Sequence, residues 1–297
     1  MHKVIYIVGY GRSGSTILDI SMGSHPTVFG MGELSAMCRH VWERREYCAC
    51  GAQIRNCEVW RQIMERWMAE RDVAEYKRLQ QRVEPLFSVD RTMRTRRLWT
   101  YLDDTEAMLG AVSEITGTTT LVDSSKAPGR ALAFAMSDQI DLRVVHLVRD
   151  ARGVAHSMGR EIKGNKKSGV QKKIVPRSPY RTAIRWRMYN SFAEKLGMAV
   201  GPQHFVRVRY EDFADDAARE MQRISAATGV DFSDVGDHLA NGGALMPAHQ
   251  MAGSRLRMKS SITLQFDKGW ESRMTPADQN KVVRVAADQL RRYGYVL

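Results

Sequence analysis

At 297 residues, with 43% hydrophobic and 26% charged content, the chain has the balance of a soluble globular protein, which excludes disordered, collagen-like and membrane-spanning classes. It is long enough to bury a large core within one domain. Its 45 Lys and Arg against 33 Asp and Glu leave a net charge of +12, which suits a nucleotide, an acidic glycan, nucleic acid or an anionic lipid surface without choosing among them.

In chain order, Val4 to Val8 is a continuous apolar run and reads as a buried strand that ends on GYGRSGST, Gly9 to Thr16. A helix follows from about Gly14 to Ser24, stopped by His25-Pro26. The four cysteines, Cys38, Cys48, Cys50 and Cys57, fall within twenty positions. Their C-x9-C-x-C-x6-C spacing lacks the paired C-x2-C knuckles of common zinc sites, so zinc, reduced thiols and a local disulfide all stay open. Cys57 to Val112 is mostly helical, broken near Pro85, and reads as an insertion over about 57–116 in which Trp60, Trp67 and Trp99 are core residues or line an apolar pocket. Thr118 to Asp123 and Leu142 to Val148 are β-branched and apolar and read as buried parallel strands. Each leads into a helix, Gly129 to Met136 and Ala151 to Arg160. A helix from Pro179 to Met198, a strand from Phe205 to Tyr210, and helices from Asp212 to Thr228 and Pro276 to Tyr293 complete the series. The repeated strand, loop and helix predict an α/β fold of three layers, a central parallel sheet flanked by helices.

The densest basic stretches are Arg91 to Arg97, Lys163 to Lys173 and Arg255 to Lys259; a solvated face is the plain reading of each and the favoured one for Arg91 to Arg97. Gly164 to Ser178 and Asn241 to Gly253 read as loops, and the region from about 160 to 185 as a candidate lid. No apolar run approaches the ~18–20 residues that span a bilayer, and no cleavage site follows the first strand, so no transmembrane segment and a cytoplasmic location are expected. The eight histidines show no metal-like spacing.

GYGRSGST matches the phosphate-loop pattern G-x-x-x-x-G-K-[ST] at Gly9, Gly14 and Thr16, but Ser15 stands where the lysine belongs. A strand, a glycine turn and a helix N-terminus still gather backbone N–H groups around one anion. With Arg12 and Ser13 as the remaining donors, the ligand is better pictured as one terminal phosphate than as a triphosphate with its metal. In VVHLVRDARGVAHSM, Arg149 stands at a strand end and Ser157 eight residues on. That places Ser157 ~12 Å along a helix axis, so the arginine must fold back along the helix for both to grip one phosphate.

These stretches resemble the sulfotransferases that use 3′-phosphoadenosine 5′-phosphosulfate (PAPS), of the bacterial, carbohydrate and tyrosyl-protein type. RSGST is similar to the family's 5′-phosphosulfate loop, which implies that Gly11, Arg12, Ser13, Gly14, Ser15 and Thr16 bind the donor. Arg149 and Ser157 match the 3′-phosphate pair. VRYEDF, with Tyr210, resembles a strand end beside the nucleotide. GSRLR and DKGW resemble a loop that closes over the cofactor, offering Ser254, Arg257 and Lys268. HPTVFGMGEL resembles the segment that supplies a glutamate base, which points to Glu33, twenty-one positions after Arg12. Lys126, in VDSSKAP, matches a lysine beside the sulfuryl group.

The resemblance therefore implies in-line transfer from PAPS, leaving PAP, to a hydroxyl of a glycan, lipid or secondary metabolite. Glu33 would be the base and Lys126 and Arg12 would offset charge, with no metal required and no nucleic-acid partner. A helix-capping or salt-bridged surface role for Glu33 and a solvated loop position for Lys126 are the plain alternatives. A P-loop kinase with a displaced lysine and a non-catalytic polyanion binder are the competing functions.

Overall fold

The computed structural model describes residues 1–86, 95–170, 173–265 and 267–297. Strands β1 (His2–Val8), β2 (Val28–Gly30), β3 (Thr120–Asp123), β4 (Ile140–Val148) and β5 (Phe205–Arg209) form one sheet in the order β2-β3-β1-β4-β5. Every neighbouring pair is parallel, with Val4 of β1 in register with Leu121 on one side and Leu142 on the other. Successive side chains of a strand point to opposite faces. Thus Val4, Tyr6 and Val8 enter one core while Ile5 and Ile7 enter another, and a strand covered on both faces is apolar throughout.

Twelve helices flank the sheet among the described residues: α1 (Ser15–Met22), α2 (Glu58–Met68), α3 (Val73–Val83), α4 (Arg96–Thr116), α5 (Pro128–Phe134), α6 (Ala151–Met158), α7 (Pro179–Val200), α8 (Tyr210–Asp215), α9 (Ala217–Thr228), α10 (Ser233–Ala240), α11 (Gly269–Arg273) and α12 (Pro276–Arg292). A short π-helical stretch, Met37–Val41, running on into Trp42–Arg44, lies between β2 and α2. The insertion α2 to α4 buries Trp60, Trp67 and Tyr101 against the first face, while Trp99 is exposed. Helices α1 and α9 cover the second face, and α6, α7 and α12 share a third cluster around Trp186.

Two expectations change. A fifth strand, β2, sits inside HPTVFG, three residues long and too short to show a period. The single helix expected from Asp212 to Thr228 is two, because Asp216 leaves helical geometry at φ −139° and its side chain accepts from the Arg219 N–H at 3.0 Å, capping α9.

The basic segment after α6 folds back on itself, with Ile162 bridging Ile174 and Asn165 bridging Val170; Gln171 and Lys172 lie outside the described residues. Of the first basic stretch, Arg91 to Arg94 lie outside the described residues and Arg96 and Arg97 are exposed at the start of α4. The segment before Gly253 is tied in by bridges from Leu245 to Ile262 and from Met251 to Gly32. Among the described residues no helix is long and apolar enough to cross a membrane.

Candidate active site

The chain leaves β1 toward β2 and β3 on one side and leaves β4 toward β5 on the other. The crevice outside the carboxyl ends of β1 and β4 is therefore the switch point at which open α/β sheets bind ligands. GYGRSGST fills that crevice. Gly9, at φ +134°, lies so close to β4 that a Cβ would come 2.3 Å from the Leu147 carbonyl oxygen. Gly14, at φ +96°, would place a Cβ 2.5 Å from the Tyr210 ring, so Tyr210 braces the loop from outside. Arg12 holds φ +73°, a left-handed conformation that costs a non-glycine residue and that recurs where ligands are clamped. Ser13 is 2% exposed and its Oγ has no hydrogen-bond partner among the described residues. A buried hydroxyl left in that state is costly, and a phosphate oxygen at the loop would satisfy it.

The second segment meets the loop at Arg12. Arg12 Nε donates to Ser157 Oγ at 2.9 Å, and its carbonyl accepts from Arg149 Nη1 at 3.2 Å. A Cβ on Gly153 would sit 3.2 Å from Arg149 Nε and 3.0 Å from the Trp270 ring. The arginine thus folds back along α6, as the spacing to Ser157 requires, and glycine makes the room. Arg149 also lies over the Tyr210 ring at 4.8 Å, and its Nη2 donates to the Asp267 carbonyl at 3.0 Å and pairs with Oδ2 at 3.3 Å. Burial, then repulsion from Arg149, Arg255 and Arg160, pulls the Arg12 pKa below its usual value. Cations crowded in this way form a site for a multiply charged anion.

Glu33 and Lys126 complete the group. The Glu33 N–H donates to the Met251 carbonyl at 3.0 Å, and Gly32 before it, at φ +73°, would put a Cβ 2.2 Å from that same oxygen. Lys126 follows β3 in a left-handed conformation, φ +58°. Its Nζ donates to Glu33 Oε1 at 2.9 Å, to Ser15 Oγ at 3.0 Å and to the Ser124 carbonyl. Ser15 occupies the lysine position of the phosphate-loop pattern, so the ammonium missing from the loop's own sequence arrives from after β3.

The C-terminal residues are placed differently from one another. The Ser254 N–H donates to Thr16 Oγ1 at 3.1 Å, which sets its loop directly on the phosphate loop. Arg257 is fully buried, and its guanidinium donates to the carbonyls of Ser254 and Tyr47, each at 3.3 Å. Lys268 is exposed at the start of α11. Tyr210 donates its hydroxyl to the Gln265 carbonyl at 3.0 Å.

Two carboxylates here went unnoticed in the sequence. Asp267 holds Arg149. Asp19, on α1, is fully buried and its Oδ2 accepts from the Gly32 N–H at 3.0 Å, which fixes the turn ahead of Glu33. Burial pushes its pKa up to about 7. A Cβ on Gly30 would come 2.5 Å from Asp19 Oδ1, so the glycine is needed at that point. A single acid within the apolar run of STILDISM was the available signal. The disulfide alternative falls, since all four cysteines are free.

The sequence pattern of the sulfotransferase family matches residues 4–234. That span takes in the phosphate loop, Glu33, Lys126, Arg149, Ser157 and Tyr210 and leaves Ser254, Arg257 and Lys268 outside. The sulfotransferase domain from the curacin biosynthetic pathway is similar with a TM-score of 0.59 at 17% identity, covering 100% of this chain and 99% of that one. The sulfotransferase domain from the Synechococcus PCC 7002 olefin synthase is similar with a TM-score of 0.54 at 20% identity, covering 100% and 96%. At such identities the likeness is one of fold. No curated protein matches the chain. On the family match over most of its length, the chain belongs to the sulfotransferase family.

Proposed function

We propose that the protein transfers a sulfuryl group from PAPS to a hydroxyl of a glycan, lipid or secondary metabolite, in line, with Glu33 as general base and no metal in the transfer. The observation that carries this reading is the junction at Arg12. There the loop after β1 and the helix after β4 form one cationic cradle, through Ser157 at 2.9 Å and Arg149 at 3.2 Å, beside the unpartnered Ser13 hydroxyl. Such a cradle suits a nucleotide with two separate phosphate groups.

PAPS when bound supplies an electrophilic sulfur and a nucleotide bisphosphate as leaving group. The loop N–H groups with Ser13, Ser15 and Thr16 hold the 5′-phosphate at the N-terminus of α1. Arg149 and Ser157 take the 3′-phosphate, while Tyr210 keeps Gly14 and Arg149 in place. Glu33 accepts the proton of the acceptor hydroxyl as its oxygen bonds to sulfur, and Lys126 and Arg12 offset the charge gathering on the departing oxygen. Ser254, Arg257 and Lys268 belong to the loop that closes over the donor. Fixing both partners in line supplies the rest of the acceleration.

Calorimetric titration with PAP, with ATP plus magnesium, and with a short DNA duplex tests the assignment. PAP is expected to bind without metal and to compete with labelled PAPS. Silence with PAP alongside a magnesium-dependent ATP signal would point to a kinase, and binding of DNA alone to a polyanion binder.

A further inference from the structure

Away from the phosphate loop, three of the four cysteines converge on a histidine far along the chain. Cys48, Cys50, Cys57 and His249 each present one donor atom, and all four atoms lie within 4.8 Å of one another. Cys57 Sγ is 3.4 Å and Cys48 Sγ 3.7 Å from His249 Nδ1, and Cys50 Sγ is 3.8 Å from Cys57 Sγ. A tetrahedral zinc ion with Zn–S ~2.3 Å and Zn–N ~2.0–2.1 Å separates its ligands by about 3.8 Å between sulfurs and about 3.6 Å between sulfur and nitrogen. These three contacts lie near those separations, with every other pair of donor atoms within 4.8 Å, and 3.8 Å between sulfurs is far beyond a disulfide bond.

The chain is shaped to bring these donors together. The Gly51 N–H donates to the Cys48 carbonyl at 3.0 Å, closing a tight turn with Gly51 at φ +89°, and Tyr47 bridges Gln53 across it. In an extended strand a C-x-C pair is splayed along the chain; in this turn both sulfurs face the same point. His249 is held from two sides: Trp60 Nε1 donates to its carbonyl at 2.6 Å, and the Ala49 N–H donates to the carbonyl of Gln250 at 3.1 Å. Phe29 stacks on its ring at a centroid distance of 6.4 Å. Cys48 and Cys57 are buried and Cys50 is exposed, which leaves an entry path for an ion.

We propose that Cys48, Cys50, Cys57 and His249 bind one zinc ion as a structural clip. Three thiolates and one imidazole select zinc over harder divalent ions. Four protein ligands close the coordination shell, so the ion has no position for substrate. The clip ties the Cys48–Cys57 turn to the segment that continues into Met251, whose carbonyl holds the Glu33 N–H at 3.0 Å, and into Ser254, whose N–H reaches Thr16 at 3.1 Å. It thereby positions the cover of the active site. The proposal is independent of the donor and acceptor assigned above.

The test is elemental analysis of the full chain, expressed with zinc in the medium and purified without chelator, followed by exchange with cobalt(II). About one zinc per chain is expected, and the cobalt form should show intense thiolate-to-metal charge-transfer bands and tetrahedral ligand-field bands. Cys57→Ser and His249→Ala should lose the metal, and Cys38→Ser, whose sulfur lies outside the cluster, should keep it. The wild-type measurements stand even where a variant fails to fold. Protein that holds no zinc and takes up cobalt(II) without thiolate bands would overturn the site, as would undiminished zinc in a folded Cys57→Ser variant.

Discussion

Lys126 stands between two functions, with Nζ 2.9 Å from the Glu33 carboxylate and 3.0 Å from Ser15 on the phosphate loop. Glu33→Gln keeps the shape and a partner for Lys126 but cannot take a proton. The expected result is PAP affinity within about threefold of wild type and turnover reduced ~10²- to 10⁴-fold; near-normal transfer would remove Glu33 from the base role. Arg149→Ala strips charge-assisted contacts from the nucleotide and should weaken PAP binding ~10- to 100-fold, read by the same calorimetry. Asp19 behaves differently because its pKa rises on folding, from 3.8 to about 7. A raised carboxyl pKa contributes stability that is present below pH ~4 and is lost as pH climbs through ~7. Asp19→Asn should therefore gain on wild type by about 3 kcal/mol between pH 5 and pH 8 in urea denaturation; a difference that stays flat with pH would mean that Asp19 is already ionised in the fold. The loop residues, Arg149 and Ser157 could be singled out because a glycine turn after a strand and a strand-end arginine have a recognisable spacing, and the fold brings them together at Arg12. Asp19 and Asp267 could not, since a lone carboxylate carries no such spacing. His249 lies 192 positions from Cys57, so only the fold joins them.

Four strands and most helices followed from apolar runs and their punctuation, because strands covered on both faces and amphipathic helices write their burial into the sequence. What joins those elements did not, since a polar network drawn from separate helices has no period. Arg130 of α5, fully buried, donates to Asp123 Oδ2 at 2.8 Å at the end of β3 and to the Tyr101 hydroxyl of α4 at 2.8 Å, and lies 3.6 Å from Glu84 after α3. Its guanidinium packs over Phe134 at 4.6 Å. The other oxygen of Asp123 accepts from the Ser125 N–H at 2.9 Å, and Ser125 Oγ accepts from the Ser35 N–H at 2.9 Å. The helical insertion is thus bolted to the turn that presents Lys126. Arg130→Ala leaves Asp123 buried without its cation and Glu84 with only Arg39, at 3.7 Å, and is expected to lower unfolding free energy by about 3–5 kcal/mol. Urea denaturation checks it, and a loss under about 1 kcal/mol would show that the network is not held together by that charge.

On the scale of the whole molecule, a net charge of +12 invites the view that any anion is drawn by charge at large. The arrangement of the sheet argues for a local cause. Arg149, Arg255 and Arg160 all act on Arg12 at the carboxyl ends of the strands. Arg66 lies at the other end, where it lines a cavity of about 430 Å³ with His2 and Gln139. The seven residues of β1 separate the two ends by ~20 Å at ~3.3 Å per residue, about two screening lengths at 0.1 M salt. Arg66 is half-exposed and its pairs with Glu70 and Glu114 are surface pairs, so its replacement costs little stability. Arg66→Ala and Arg255→Ala each remove one positive charge from the chain. If the site's own cluster governs nucleotide capture, Arg255→Ala should weaken PAP binding severalfold and flatten its salt dependence, while Arg66→Ala leaves both within error. Calorimetry at 50 and 300 mM salt separates the cases: equal losses from the two variants would mean that bulk charge governs capture, and the cluster around Arg12 would lose its claim to the phosphates.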